Sequence, residues 1–233
     1  MPYRLMQLAG NPPAWLGIVN VIGDLLWLAA YILIIRKGFK DRTYGIPMLC
    51  IALNFTWEFI YAVDFPIPIT FIAILRWAWL IADCVIVYQL FRYGRENQTI
   101  PFFRLYFFPI SIAMFISAYI GQLAFHYSFA DPWGIRNAYM INLVMSMLFI
   151  SLYFDRPDGR GLSLGAGWLK MLGTGILSAG SLISIKDHWL EQSFMIYLYV
   201  SIFVFDVAYI VLLSTQQIRA ARKPEDQGML AAA

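Results

Sequence analysis

Long apolar segments alternate with short polar connections along most of the 233-residue chain. Each apolar segment is close to the ~20 residues that an α-helix needs to cross a hydrocarbon core of ~30 Å. The pattern predicts seven membrane-spanning helices, at about 14–36, 44–64, 67–91, 105–129, 135–155, 163–185 and 192–214. The connections are too short for a further domain. We therefore predict an all-α, polytopic membrane protein, with a single seven-transmembrane-helix bundle over 1–218 and a polar, disordered tail over 219–233.

Composition and charge agree with this fold class. Hydrophobic residues make up 61% of the chain and charged residues 13%, which lies outside the usual range of soluble domains. The first apolar segment follows MPYRLMQLAGNPPA, which has no basic region beside a short apolar core and no small-residue cleavage pattern. We therefore expect this helix to stay in the mature, multi-pass protein.

The distribution of basic residues predicts the orientation. The stretches after the first, third, fifth and seventh predicted helices carry Arg36, Lys37, Lys40, Arg42, Arg92, Arg95, Arg104, Arg156, Arg160, Arg219, Arg222 and Lys223. The opposite side has only Arg4, Arg136 and Lys186. By the positive-inside rule, the N-terminus is outside and the C-terminus cytoplasmic. The net charge of +3 is then an insertion signal, and no nucleic-acid partner is expected. The sequence leaves the oligomeric state open.

Few ionisable residues fall inside the predicted spans, where each costs about 2.5–3.5 kcal/mol at the helix centre on insertion scales. They are Asp24, Glu58, Arg76, Asp83, Lys170 and Asp206. Lys170 lies near the cytoplasmic end of its helix, so its ammonium group is expected to extend to the interface. The other five are expected to face the interior of the bundle.

Polar and aromatic residues accompany these charges at helical spacing. On the second helix, Asn54, Glu58 and Tyr61 fall at i, i+4 and i+7, with Trp57 alongside. Similar stripes on the other helices contain Asn20, Asp24, Trp27 and Tyr31; Arg76, Trp77, Trp79 and Asp83; Tyr139, Asn142 and Ser146; and Tyr199, Asp206 and Tyr209. Exposure of such polar stripes to lipid is unfavourable, so we expect them to converge on an interior cavity.

Several of these residues also have a purely structural interpretation. Arg76 and Asp83 could form a buried ion pair that orients helices. Asp24 could be a hydrogen-bonding hub, and Asn142 and Ser146 could join neighbouring helices.

An acid in aromatic, apolar surroundings suits a particular chemistry. Removal from water disfavours the charged form of a carboxyl group, so Glu58 is expected to hold its proton at neutral pH. Aromatic faces stabilise a nearby cation by about 0.5–2 kcal/mol, and exclusion of water protects a reactive intermediate. A proton donor in a dry aromatic chamber is what carbocation chemistry requires.

Specific motifs carry a family resemblance. The second helix contains NFTWE, with Asn54, Trp57 and Glu58, and the seventh contains FDVAY, with Asp206. Together with RWAWLIAD on the third helix, these motifs resemble the membrane-integral terpene cyclases of meroterpenoid and indole-terpenoid pathways. The resemblance extends over essentially the whole chain.

The resemblance implies a cyclase that does not ionise a diphosphate. Such an enzyme protonates a terminal epoxide or alkene of a prenyl chain on an aromatic or heterocyclic head group, and ends the cyclisation by deprotonation. It implies Glu58 as the proton donor and Asp206 as a second acid that positions the donor, stabilises a cation or assists deprotonation; the two roles could be exchanged. The resemblance and the polar stripes together predict a substrate-binding set of Asn54, Trp57, Tyr61, Asp24, Trp27, Arg76, Trp77, Asp83, Asn142 and Tyr209.

Missing motifs limit the alternatives. The chain has neither a DDxxD cluster for magnesium diphosphate nor the DxDD motif of soluble protonating cyclases, so no metal or cofactor is expected. The expected partners are a lipophilic prenylated substrate and the bilayer. A small seven-helix proton-coupled transporter remains the main alternative, because acids inside the membrane also mark ion pathways. The seventh helix has no Lys for a retinal Schiff base, which argues against a photoreceptor.

Overall fold

The computed structural model describes residues 14–66, 71–129, 131–184 and 193–231 and contains helices but no strand in these ranges. We number the α-helices in chain order: α1 Ala14–Asp41, α2 Met48–Phe59, α3 Phe71–Tyr93, α4 Pro101–Leu105, α5 Phe107–Phe129, α6 Ile135–Asp155, α7 Leu164–Ser184 and α8 Ser193–Ala231. A π-helical turn, Ile60–Asp64, continues α2. The all-α fold class predicted from the hydrophobic pattern is confirmed for these ranges.

Five segments are long and apolar enough to cross a membrane: Trp15–Asp41, Phe71–Tyr93, Phe107–Phe129, Ile135–Asp155 and Ser193–Gln217. Large apolar side chains such as Ile74, Ile120 and Phe203 are more than half exposed on their outer faces. Extensive apolar surface of this kind suits lipid rather than water, so the protein is integral to the membrane.

Two further predicted spans are also helical but do not belong to this set of five. They correspond to α2 with its π-helical turn and to α7. The count of seven spans and the orientation of the termini therefore stay predictions. Helix α8 continues to Ala231, beyond the boundary predicted at residue 218, and that domain boundary also stays a prediction.

The helices surround an interior space. Helices α1, α3, α2, α6, α8 and α7 contact one another in that order, α7 returns to α1, and α5 packs against α2. Helices α1 and α7 approach closely at Gly23 and Gly173, where a Cβ on Gly173 would lie 2.9 Å from the carbonyl oxygen of Gly23. Small residues of this kind allow helix backbones to approach closely in membranes.

The densest packing occupies one half of the bundle. Its fully buried side chains include Ile51, Ile86, Leu90 and Met145, and they belong to the larger hydrophobic cluster. This cluster lies towards the C-terminal ends of α1, α3 and α6. The opposite half of the bundle is therefore where the helices leave room for a cavity.

Candidate active site

The main cavity has a volume of about 380 Å³ and lies between α1, α2, α3, α6 and α7. This volume falls within the range of about 300–1,000 Å³ that is typical of small-molecule sites. Its wall is rich in aromatic side chains, namely Trp27, Tyr31, Trp57, Trp79, Trp133 and Tyr139. The structure brings seven of the predicted site residues to this wall: Asp24, Trp27, Asn54, Trp57, Glu58, Arg76 and Asn142.

Glu58 is the buried acid of this cavity. Its side chain lies at the C-terminal end of α2 and is only 5% exposed. Oε2 has no hydrogen-bond partner, and no ion pair between described residues involves this carboxyl group. Burial of an unpaired charge is costly, so the surroundings favour a neutral carboxylic acid. Such an acid is free to give its proton to a molecule in the cavity.

Asp83 lies behind the wall, where it is fully buried. Asn54 Nδ2 donates to Asp83 Oδ2 at 3.0 Å, and the same nitrogen makes a short hydrogen bond to Tyr31 Oη. Asp83 is not a cavity-lining residue, although it was predicted to bind substrate. It instead anchors Asn54, whose side chain does line the cavity.

Arg76 does not form the ion pair with Asp83 that was considered as a structural alternative. Its Nη1 instead donates to the carbonyl oxygen of Tyr61 at 2.9 Å. This oxygen belongs to the π-helical turn, in which Phe65 N donates to Ile60 O. The next residue in that pattern is Pro66, which has no N–H to donate to Tyr61. The guanidinium group satisfies this carbonyl, and Arg76 thereby joins α3 to the end of α2.

Tyr61 helps to close one end of the cavity instead of lining it. Its hydroxyl donates to the carbonyl of Asp131 at 3.2 Å and lies 3.1 Å from His126 Nδ1. Trp57 Nε1 donates to the carbonyl of Gly134 at 3.0 Å. The turn before α6 is held in this way by α2, and it also contributes Trp133 to the cavity wall.

Gly134 makes this closure possible. Its φ of +70° favours glycine, and a Cβ there would lie 2.3 Å from the Tyr61 ring and 2.7 Å from Trp57 Nε1. The absence of a side chain allows both aromatic rings to pack directly on the turn.

Trp77 faces away from the cavity and is 50% exposed, whereas Trp79 lines the cavity. Trp77 was predicted to bind substrate; it does not line this cavity, and its contact with substrate stays a prediction. Two positions along an α-helix are separated by about 200°, so the two side chains leave α3 on nearly opposite sides. Trp79 Nε1 is buried and has no hydrogen-bond partner.

Asp206 lies outside the main cavity, on α8. Lys170 Nζ is 2.7 Å from Asp206 Oδ1 and 2.9 Å from Oδ2, and it also donates to Ser146 Oγ at 2.7 Å. Lys170 is only 5% exposed. The prediction that Lys170 extends to the interface is therefore wrong, because the ammonium group finds a carboxylate partner inside the bundle. Asp206 also borders a groove of about 240 Å³ between α7 and α8.

Tyr209 is likewise separated from the main cavity. Its ring packs 5.1 Å from that of Phe149, and it lines a small cavity of about 20 Å³ together with Trp27 and Lys170. Tyr209 was predicted to bind substrate; it does not line the main cavity, and its contact with substrate stays a prediction.

A polar network joins the ion pair to the main cavity. Ser146 Oγ, which accepts from Lys170, donates to the carbonyl of Asn142 at 2.9 Å. Asn142 Nδ2 and Trp27 Nε1 both donate to Thr174 Oγ1 at 3.0 Å. Thr174 was not predicted as a site residue, since an isolated Thr on an apolar helix has no distinctive pattern. The network places three cavity-lining side chains within reach of the ion pair.

Metal ligation has no evident location in the described part of the chain, which contains no group of three or more His, Cys, Asp or Glu residues arranged to hold an ion.

These features define an integral-membrane helical bundle that encloses a buried acid within an aromatic chamber. A sequence model of Pyr4-like transmembrane terpene cyclases matches residues 8–218. The chain belongs to this family and is a membrane terpene cyclase, as the motifs on α2, α3 and α8 indicated.

Three proteins named as terpene cyclases align with most of this chain. The chain is 26% identical over 238 residues to terpene cyclase pyr4 of Aspergillus fumigatus, which covers 93% of this chain and 97% of that protein. It is 26% identical over 227 residues to terpene cyclase dpmpB of Macrophomina phaseolina, covering 90% and 92%. It is 29% identical over 182 residues to terpene cyclase macJ of Penicillium terrestre, covering 75% and 69%. No solved structure matches the chain.

Proposed function

We propose that the protein is a protonation-initiated terpene cyclase that acts on a prenyl chain attached to a meroterpenoid or indole head group. The observation that carries this proposal is Glu58, a buried carboxyl group with an unpaired oxygen on the wall of an aromatic cavity. The family supports terpene cyclisation, and the geometry supports an acid as the initiating group.

The reaction begins with transfer of a proton from Glu58 to the substrate. With an epoxide, the oxygen takes the proton and a C–O bond breaks; with an alkene, one carbon takes the proton from the acid. Either step leaves a carbocation, which successive double bonds attack to close rings. Loss of a proton from carbon ends the cascade, and a proton returned to Glu58 restores the acid. The reaction is an isomerisation with no net change in atoms.

The cavity wall controls the cation. Trp27, Trp57 and Trp79 present aromatic groups to the chamber, and each aromatic face stabilises a nearby cation by about 0.5–2 kcal/mol. Arg76 and Asn54 are fixed by hydrogen bonds to the Tyr61 carbonyl and to Asp83. Polar groups held in this way are suited to orient an oxygen or nitrogen of the head group without reacting.

Asp206 is proposed as a second acid on which turnover of the enzyme depends. It lies behind the main cavity, paired with Lys170, so the geometry favours an influence exerted through the network of Ser146, Asn142 and Thr174.

The proposed topology has seven spans, with the N-terminus outside and the C-terminus in the cytoplasm. The basic residues after the odd-numbered predicted spans support this orientation. The cavity then lies in the outer half of the bundle, with the dense packing of Ile51, Ile86 and Leu90 on the cytoplasmic side.

The direct test is replacement of the two acids. Membranes containing wild type, Glu58→Gln or Asp206→Asn are incubated with farnesyl- and geranylgeranyl-bearing substrates, with and without a terminal oxirane, and products are identified by mass spectrometry and NMR. We expect Glu58→Gln to abolish detectable product, since loss of general acid catalysis costs about 10²–10⁴-fold. Asp206→Asn is also expected to lose most of its product, because it leaves the ammonium group of Lys170 buried without its carboxylate partner.

Two matched controls are available on the exposed surface. Glu96→Gln, in the turn after α3, and Asp158→Asn, before α7, make the same chemical changes away from the bundle interior. Both are expected to keep wild-type turnover. Near-normal turnover by Glu58→Gln would contradict the proposed role of the acid.

A further inference from the structure

The ion pair of Lys170 and Asp206 lies one side chain away from the main cavity. Lys170 Nζ sits 5.5 Å from the centroid of the Trp27 ring. Trp27 contributes both to the main cavity and to the small cavity that Lys170 lines. Lys170 itself does not line the main cavity. The indole ring of Trp27 therefore stands between a buried ammonium group and the space assigned to the substrate.

An uncompensated ammonium group at this position would oppose the proposed chemistry. A carbocation against the Trp27 ring would lie on the order of 9 Å from Nζ, if a contact distance of about 3.5–4 Å is added to the ring separation. With an effective dielectric constant of about 20, Coulomb repulsion at that distance slows formation of the cation by roughly 20-fold. The ammonium group of Lys170 would also compete with the carbocation for the cation–π interaction with the Trp27 ring.

Asp206 removes this repulsion. Both of its oxygens lie within 3 Å of Nζ, at 2.7 and 2.9 Å. Its side chain is 3% exposed, so water does not replace it as a partner of the lysine. Across the described ranges, it is the acidic residue that forms a salt bridge with Lys170.

The pair also holds the cavity wall in place. Lys170 donates to Ser146, and Ser146 donates to the carbonyl of Asn142. Asn142 and Trp27 share Thr174 as an acceptor. A lysine without its counterion would be free to leave this arrangement for another partner.

We propose that Lys170 and Asp206 form a positioning pair, in which Asp206 is the counterion of Lys170 and does not exchange a proton with the substrate. The pair keeps the Trp27 side of the chamber electrically neutral and fixes the orientation of Trp27, Asn142 and Thr174. This inference rests on the proposed carbocation mechanism and assigns a role to Lys170, which the resemblance to the family did not single out.

The competing assignment is that Asp206 reacts directly. The groove between α7 and α8 offers a route for such contact, because Asp206 lines it and Thr174 borders both the groove and the main cavity. The two assignments differ in one requirement: a reacting acid must keep a carboxyl group at position 206, whereas a counterion is needed only while Lys170 is charged.

Paired substitutions separate these assignments. Lys170→Gln with Asp206→Asn replaces the ions with two neutral hydrogen-bonding amides. Lys170→Met with Asp206→Leu replaces them with apolar side chains, a change that is often neutral for a buried pair. Lys170→Asp with Asp206→Lys reverses the pair. None of the three variants has a carboxyl group at position 206.

Insertion and folding are measured first, by size-exclusion chromatography of a fluorescent fusion, and turnover is then measured in membranes. We expect Asp206→Asn to keep at most about a twentieth of wild-type turnover, from the roughly 20-fold effect of the repulsion and the loss of the fixed wall. The folded paired variants are expected to recover at least about a third of wild-type turnover, because replacing both partners of a buried pair by neutral groups is often tolerated. A distribution of ring products close to that of wild type is also expected, because the Trp27 side of the chamber is again neutral.

The proposal is overturned if any folded paired variant is as inactive as Asp206→Asn. It is also overturned if Asp206→Asn alone keeps wild-type turnover and product distribution. Glu58→Gln is measured alongside, since its outcome tests proton donation independently of position 206. An active Glu58→Gln would remove the proposed mechanism itself, whereas an inactive Glu58→Gln with inactive paired variants would remove only the counterion role.

Discussion

Glu58 and Asp206 are both buried carboxyl groups on membrane helices, but their surroundings differ in kind. Glu58 has an oxygen without a partner and borders a large cavity. Asp206 has Lys170 against both oxygens and lies behind the wall of that cavity. The comparison teaches that burial alone does not make an acid a proton donor. In the proposed mechanism, the proton donor is the acid that the fold leaves unpaired, while the paired acid sets charge and geometry.

The largest expected difference between these two regions is in stability. Asp206→Asn leaves the ammonium group of Lys170 buried without its partner, and such a loss costs about 3–5 kcal/mol. Glu58→Gln removes no ion pair and no hydrogen bond of Oε2, so we expect a change within about 1 kcal/mol in the free energy of unfolding. Thermal unfolding of the purified proteins in detergent, followed by tryptophan fluorescence, measures both changes.

Asp158→Asn provides the control for this measurement, because its carboxylate is well exposed and its ion pair with Arg160 is long, at 3.8 Å. Equal destabilisation by Glu58→Gln and Asp206→Asn would contradict the distinction between an unpaired and a paired acid.

A smaller effect is expected at the cavity wall on α3. Trp79→Leu removes an aromatic group from the chamber and should lower turnover by roughly 10-fold, within the range of a desolvated cation–π contact. Trp77→Leu makes the same change on the exposed face of the same helix and should alter turnover by less than about 2-fold. Turnover in membranes, normalised to the amount of inserted protein, measures the difference.

Equal losses at the two tryptophans would mean that the chamber is not where the cation forms. A larger loss at Trp77 would point to a reaction on the lipid-facing side of α3.

The smallest expected effect concerns metal ions. The proposed proton transfer from Glu58 needs no divalent cation, so we expect turnover to stay within about 2-fold of its original value after treatment with EDTA, as for a reaction driven by a general acid. Product formation before and after chelation, and after addition of magnesium, is the measurement. Loss of turnover that magnesium restores would indicate ionisation of a diphosphate in place of protonation.

The sequence predicted the helices and much of the main cavity, because both follow from periodic patterns. Asn54, Trp57 and Glu58 share one face of α2 by spacing alone, and that face does border the cavity. Asp24 and Trp27 reach the same space from α1 by the same rule. Helical spacing predicts which side chains lie together when one face of a helix borders a single environment, such as the cavity.

Other features depended on contacts between distant parts of the chain. The partner of Lys170 is Asp206 on α8, and no pattern in the sequence around Lys170 predicts this pairing. Arg76 could be expected to pair with Asp83 on the same helix, yet the free carbonyl of Tyr61 competes for it. Which of Trp77 and Trp79 faces the cavity depends on how α3 is rotated about its axis relative to its neighbours. The sequence pattern, which places both residues in one stripe, does not specify that rotation.

Gly134 leaves no room for a larger side chain at the closed end of the chamber. A Cβ there would lie 2.3 Å from the Tyr61 ring and 2.7 Å from Trp57 Nε1, so any larger residue would force these side chains or the turn to shift. Engineering of new ring skeletons should therefore begin at side chains such as Ile72 and Leu177, which border the cavity without supporting its closure. If the proposed substrate binds in this cavity, the turn at Gly134 limits the space available at that end.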